Sequence, residues 1–272
     1  MQTSQHDERP RPWSRLIQAA WMIPGGVMAV ILILPIAALV IRAVQARAWE
    51  QAPDAGIVEA MVLSFGTTAI SAGLTFMLGT PLAYGLARQR MPFKQVIGVL
   101  VELPLVLPPA VAGLALLVTF GRRGLLGPTL ETAGIALPFT TAAVIVAQVF
   151  VAAPLYIRAA QVGFQGIDPE IEDAARVDGA SAFKLFWRVA LPLAGRAIGA
   201  GLALSWARAL GEFGATILFA GSLQGRTQTM PLLVYNVFER DINAAIWTGL
   251  LLVGLALAAL LVSRKLAGER GA

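Results

Sequence analysis

Residues 168–192 read DPEIEDAARVDGASAFKLFWRVALP, and this stretch decides how the rest of the chain is read. It is a polar island of 25 residues in a sequence that is otherwise mostly apolar. Asp168 is a good N-cap, and Pro169 follows at the first helical position, where its missing N–H costs nothing. Glu170, Glu172 and Asp173 put negative charge in the first turns, where the helix dipole favours it. Gly179 suits the left-handed residue just past a helix end. Ser181 can cap a second helix, and Pro192 marks the entry to the next apolar run. The spacing predicts two short helices with a break between them. Such a polar hairpin between two membrane spans is built to be held by something in the cytoplasm. An ordinary solvated loop is the competing reading.

Composition sets the class around that island. Of 272 residues, 57% are hydrophobic and only 14% are charged, against about a quarter charged in soluble domains. Mean hydropathy is +0.72. The chain therefore reads as an all-α, polytopic membrane protein. Its net charge of +5 is no sign of a nucleic-acid partner, because Lys and Arg in a membrane protein mainly report orientation. There is no cysteine and one histidine, His6, in the N-terminal tail, so neither a thiolate nor a histidine-rich metal site is expected. Residues 1–15 read as a polar cytoplasmic tail, and 16–272 as a single transmembrane domain containing the 168–192 loop. The first apolar run is too long for a signal-peptide core and reads as a retained span.

Six runs are long enough to cross a hydrocarbon core, which takes about 20 helical residues. They lie near 19–42, 57–87, 94–119, 138–160, 194–222 and 244–263, and the second and fifth are long enough to tilt or break. Fourteen Lys and Arg lie on one side of these spans, including Arg88, Arg90, Lys94, Arg176 and Lys184, and six lie on the other, including Arg122 and Arg226. The positive-inside rule then puts both termini and the polar island in the cytoplasm.

No catalytic set is present. A P-loop ends in Gly-Lys-Ser/Thr, whereas the three lysines precede Gln95, Leu185 and Leu266 and none follows Gly. The chain is not expected to be an enzyme or to carry a cofactor. If ATP drives it, the ATPase is another polypeptide. Ionisable residues inside a membrane are costly, which singles out Arg208 and Glu212. They are four residues apart, on one helix face, and Ser205 and Thr216 extend that stripe. The stripe is either a structural ion pair locking helices together or part of a water-filled path, and the two readings are compatible. Span three carries LPLVLPPAVAG (103–113), where Pro108 and Pro109 should bend the helix. Broken helices mark solute paths in transporters, although a kinked packing helix is the plainer reading. Glu102 is expected near the cytoplasmic end, in reach of the basic loop 88–94.

Several motifs carry a family resemblance. Asp173-Ala174-Ala175, Gly179 and Leu191-Pro192 resemble the EAA loop of ABC importer permeases, with Asp173 at the usual glutamate and Glu172 just before it. The runs LPLVLPPAVAGLALL (103–117) and ARALGEFGATILFAGSLQGRTQTMPLLVY (207–235) resemble those of molybdate ABC transporter permeases, with sulfate and tungstate permeases as close relatives. The likeness covers spans two to six. It implies that Asp173, Ala174, Ala175, Gly179, Ala180 and Ser181 form a coupling element docking into separate ATPase subunits. It also implies a homodimer fed by a periplasmic oxyanion-binding protein, with spans three and five lining and gating the path. Those roles fall on Pro108, Pro109, Ser205, Arg208, Glu212 and Thr216.

The expectation is therefore the transmembrane subunit of an ATP-driven importer of molybdate or tungstate. A sulfate or thiosulfate permease is the alternative within the class. An ion-coupled secondary transporter is the alternative outside it. It would not need the polar island, and it commonly shows an internal repeat, which this sequence lacks.

Overall fold

A computed structural model describes residues 12–51, 56–88 and 92–266. His6, of the metal reading, and Arg9, Arg11, Arg90 and Arg270, of the charge reading, lie outside the described residues. The chain divides into two units, Met1–Gln51 and Ala52–Ala272.

The first unit is one long helix, α1 (Pro12–Gln45), followed by a 3-10 turn at Ala48–Gln51. It starts inside the segment expected to be a polar tail. Between Ala20 and Gln45 nearly every side chain is exposed and apolar. A helix apolar on all sides has lipid as its solvent.

The second unit opens with α2 (Ile57–Ala87), then α3 (Lys94–Val106) and α4 (Pro109–Phe120). A short α5 (Gly127–Thr132) leads to the long α6 (Thr141–Gln165). The polar island forms α7 (Pro169–Val177) and α8 (Ala182–Leu185), continued by a π turn (Phe186–Ala190) and α9 (Leu191–Leu193). The remaining elements are α10 (Gly195–Leu210), α11 (Gly214–Phe219), α12 (Met230–Phe238) and α13 (Ile242–Leu266). Among the described residues there is no strand. Among the described residues four helices are long and apolar enough to cross a membrane, and up to six crossings result if each of two bent pairs is one span.

The bend expected at Pro108 and Pro109 and the break allowed for in the fifth run both occur. Run 94–119 is not one helix, because α3 and α4 meet at 117°. The residue before a proline avoids the helical region, and Leu107 and Pro108 are both extended, with ψ 134° and 137°. Pro109 then starts α4 at the position where proline is tolerated. Run 194–222 is not one helix either. It ends at Leu210, breaks over Gly211–Phe213, and resumes as the single turn and a half of α11. Upstream, the stretch 182–193 meets α10 at 72°. The second run, by contrast, is unbroken in α2 despite Pro81. The region after span five was expected to be an outer loop, yet it contains α12, with Met230, Leu232 and Leu233 buried.

α6 is the centre of the second unit, with α2 and α10 packed against it. α2 turns a buried polar stripe inward: Ser64, Thr67, Thr68, Ser71, Thr75 and Thr80. Small hydroxyl residues let membrane helices approach closely and return their O–H to the preceding turn. Thr67 and Thr68 donate to the carbonyls of Leu63 and Ser64, at 2.8 and 2.7 Å. The same hydroxyls accept from neighbouring elements, Thr67 from Gln148 of α6 (3.1 Å) and Thr68 from Trp206 of α10 (3.0 Å). Toward the hairpin, Tyr84, Phe164 and Phe186 form an aromatic cluster with centroids 5.1–6.2 Å apart.

Candidate functional site

The hairpin forms as its sequence dictates. The Asp168 carboxylate accepts from the Glu170 N–H at 3.0 Å, and Ser181 Oγ accepts from the Lys184 N–H at 3.4 Å. Gly179 joins the two helices at φ +83°, where a side chain with a Cβ is strained.

Which carboxylate holds the hairpin differs from the motif reading. Asp173, at the motif position, is 66% exposed and pairs only with Arg176. Glu172 is 3% exposed and accepts from Arg88 at the end of α2 (2.8 Å) and from Arg176 (3.2 Å). The Glu172–Arg88 bond therefore fastens α7 to the membrane unit. Its sequence signal was the second acid beside Asp173, four residues before Arg176. Ala174, Gly179 and Ser181 are exposed, and Ala175 and Ala180 are half-buried. With Ile171, Val177, Phe183 and Trp187 they leave the hairpin with an apolar exposed surface.

The second constellation lies where the two broken runs meet. The Arg208 guanidinium pairs with Glu212 at 2.7 Å, as the four-residue spacing predicted, and the other Glu212 oxygen accepts from the Ala215 N–H at 2.7 Å. Glu212 thus ties the end of α10 and also caps α11, which explains why the helix can break there without orphaning that N–H. Glu212 is 1% exposed and Arg208 34%. The four residues do not form one stripe, because the helix stops between Arg208 and Glu212. Ser205 is buried and donates to the Ala152 carbonyl of α6 at 2.9 Å. Thr216 is fully buried in α11, and its hydroxyl has no hydrogen-bond partner among the described residues.

Pro108 and Pro109 join this constellation through packing. A Cβ on Gly214 would stand 2.4 Å from the Pro109 Cβ, so the starts of α4 and α11 touch only because residue 214 has no side chain. Behind that contact Ala112, Leu116, Ala215 and Phe219 are buried against Ala143, Val144 and Ala147 of α6. Gly214 was not singled out from the sequence, since its need is tertiary. Glu102 was expected within reach of loop 88–94, whose residues 89–91 lie outside the described residues. It pairs with Arg158 of α6, at 3.5 Å, where α6 packs along α3.

Residues 79–267 match the family described as binding-protein-dependent transport system inner membrane component. A molybdenum transport system permease protein, ModB, of Mycobacterium bovis is 41% identical over 237 residues, 87% of this chain and 90% of that one. A sulfate transport system permease protein, CysW, of Synechococcus elongatus is 35% identical over 219 residues, 80% and 77% of the two chains. A solved bacterial ABC transporter involved in import of the acidic polysaccharide alginate shares the fold, with TM-score 0.76 at 15% identity over 96% of this chain and 100% of that chain. The chain thus belongs to the binding-protein-dependent transport system inner membrane component family. It is the transmembrane permease subunit of an ABC importer, a multi-pass protein of the inner membrane.

Proposed function

We propose that this permease carries molybdate or tungstate inward. In this reading ATP is hydrolysed by separate subunits docked on the 168–192 hairpin, a periplasmic binding protein delivers the anion, and a second copy of the chain completes the path. The observation that carries the substrate is the 41% identity to a molybdenum permease over 87% of the chain. A sulfate permease is the second reading, favoured by the 35% identity to a sulfate relative.

The hairpin faces the cytoplasm in this proposal, with both termini on the same side. Two contacts support the sidedness. Glu172 bonds Arg88, which groups the hairpin with the basic loop after α2. Thr141, at the far end of α6, donates to the Arg226 carbonyl at 2.9 Å, which groups 139–141 with 221–229. The hairpin's exposed apolar residues supply the surface for an ATPase. Arg208 and Glu212 sit at the contact of two broken helices, where a small shift of α4 against α11 opens or closes a path. A bacterium lacking its own molybdate uptake, given this permease with its ATPase and binding protein, should regain growth on a molybdoenzyme-dependent nutrient at limiting molybdate. Rescue of a sulfate-uptake mutant instead would favour the second reading.

A further inference from the structure

At the end opposite the hairpin, a cavity of about 490 Å³ is lined by Leu117, Gly121, Arg122, Pro138, Thr140 and Arg226, among others. We propose that this cavity is a receiving subsite for a tetrahedral oxyanion, held between the guanidinium groups of Arg122 and Arg226. The inference rests on the importer reading above and adds a binding site on the permease itself.

Four observations point there. The first is position. α6 is unbroken from Thr141 to Gln165, roughly 38 Å at about 1.5 Å per residue, and the hairpin begins three residues past its end. The cavity lies at the other end, beside the start of α6, where the helix dipole is positive. The second is charge. Arg88, Arg158, Arg176 and Arg208 are each held by a carboxylate. Arg122 and Arg226 line one cavity and have no ion pair among the described residues. Glu131 lines a smaller adjoining cavity with Arg122 without pairing to it. Two planar guanidinium forks suit a dianion with several acceptor oxygens. At about 30 Å³ per water, the cavity has room for a tetrahedral ion with part of its hydration shell.

The third observation is that the walls are fixed in advance. Thr141 anchors the Arg226 carbonyl, and Arg226 N–H donates to the Leu223 carbonyl at 3.1 Å. Thr227 Oγ1 accepts from the Leu223 N–H at 2.9 Å, and Asn236 donates to Ser222 at 3.0 Å. Phe139, another lining residue, is held at φ +60° with its N–H on the Phe219 carbonyl at 3.3 Å. Preorganised walls reduce the ordering cost of binding. The fourth is connection. Leu117 and Gly121 belong to the end of α4, and the Arg226 loop follows α11. The ion would therefore touch the outer end of α4 and the loop that follows α11, the two half-helices whose inner ends meet at Pro109 and Gly214.

The test uses the assembled permease–ATPase complex in nanodiscs without binding protein, and radiolabelled molybdate and sulfate as probes. Arg122→Gln and Arg226→Gln should each weaken oxyanion binding about tenfold or more, as loss of a charge-assisted contact does. The double variant should abolish binding, and Arg123→Gln should leave it unchanged. Basal ATPase activity reports that each complex is intact, and affinity for the binding protein is measured separately. No oxyanion binding by the wild-type complex, or binding indifferent to both arginines, overturns the subsite. So does a loss of binding-protein affinity with oxyanion binding intact, which would assign the arginines to an acidic partner surface. Arginine-dependent binding of sulfate but not molybdate keeps the subsite and overturns the molybdate reading. Unchanged molybdate uptake by the double variant does the reverse.

Discussion

Removing either partner of the Arg208–Glu212 pair should cost more than removing both allows for. Glu212 is 1% exposed and holds two partners, Arg208 at 2.7 Å and the Ala215 N–H at 2.7 Å. Breaking a buried pair costs about 3–5 kcal/mol. Arg208→Ala strands Glu212, which stays buried, and should cost about 3–5 kcal/mol. Glu212→Ala strands Arg208, whose 34% exposure lets water recover part of that cost. It also removes the acceptor of the Ala215 N–H, a hydrogen bond to a charged group worth about 1.5–3 kcal/mol, so the two single changes should be of similar size. Glu212→Gln keeps an acceptor for Ala215 and should cost less than Glu212→Ala. In the double alanine variant neither charge is stranded, so its cost should fall short of the sum by about 1.5–3 kcal/mol. Denaturation of the purified complex in mixed micelles gives the cycle, and reconstituted vesicles give uptake. Strict additivity would refute the pairing as an energetic unit. We expect stability to recover in the double variant while uptake does not, because Arg208 is proposed to serve the path as well.

Three further outcomes follow from single positions. At Gly179 a Cβ would meet nothing within 4 Å but φ is +83°, so Gly179→Val should cost about 1–2 kcal/mol of purely conformational energy. It should weaken ATPase association in a pull-down while the spans stay inserted, and full ATP-driven uptake would contradict the hairpin's role. Gly214→Leu should overpack the α4–α11 contact by about 1–3 kcal/mol and abolish uptake, and a wild-type rate would show that the contact is not part of the path. Glu172→Ala strands Arg88, whose side chain is only 13% exposed, and should cost about 3 kcal/mol locally. Asp173→Ala should stay within about 0.5 kcal/mol. Hydrogen exchange over 169–187 compares the two, and equal protection would contradict the division of labour.

Local chemistry made much of this legible before any coordinates. Asp168, Pro169, Gly179 and Ser181 each act through their own backbone, so the hairpin's caps and break could be read residue by residue. The Arg208–Glu212 pair needed only the four-residue spacing. Hydropathy gave the spans but not their bends. A run such as 94–119 is apolar but for Lys94, Gln95, Glu102 and Thr119, and only Leu107 and the two prolines tell that it turns. α12 was missed because nine residues fall short of a span. The choice of Glu172 over Asp173 depends on where Arg88 arrives from α2, and the need for glycine at 214 depends on Pro109. Neither fact is present in any local window.

In the proposed function this permease, with its ATPase and binding protein, drives oxyanions inward at the expense of ATP and selects molybdate over sulfate. Uptake into sealed proteoliposomes tests it most directly, with ATP inside, binding protein outside, and labelled molybdate and sulfate in competition. ATP-dependent accumulation of molybdate that excess sulfate barely slows is the expected result. Accumulation of sulfate with molybdate excluded, or uptake that persists without ATP under an ion gradient, would contradict it.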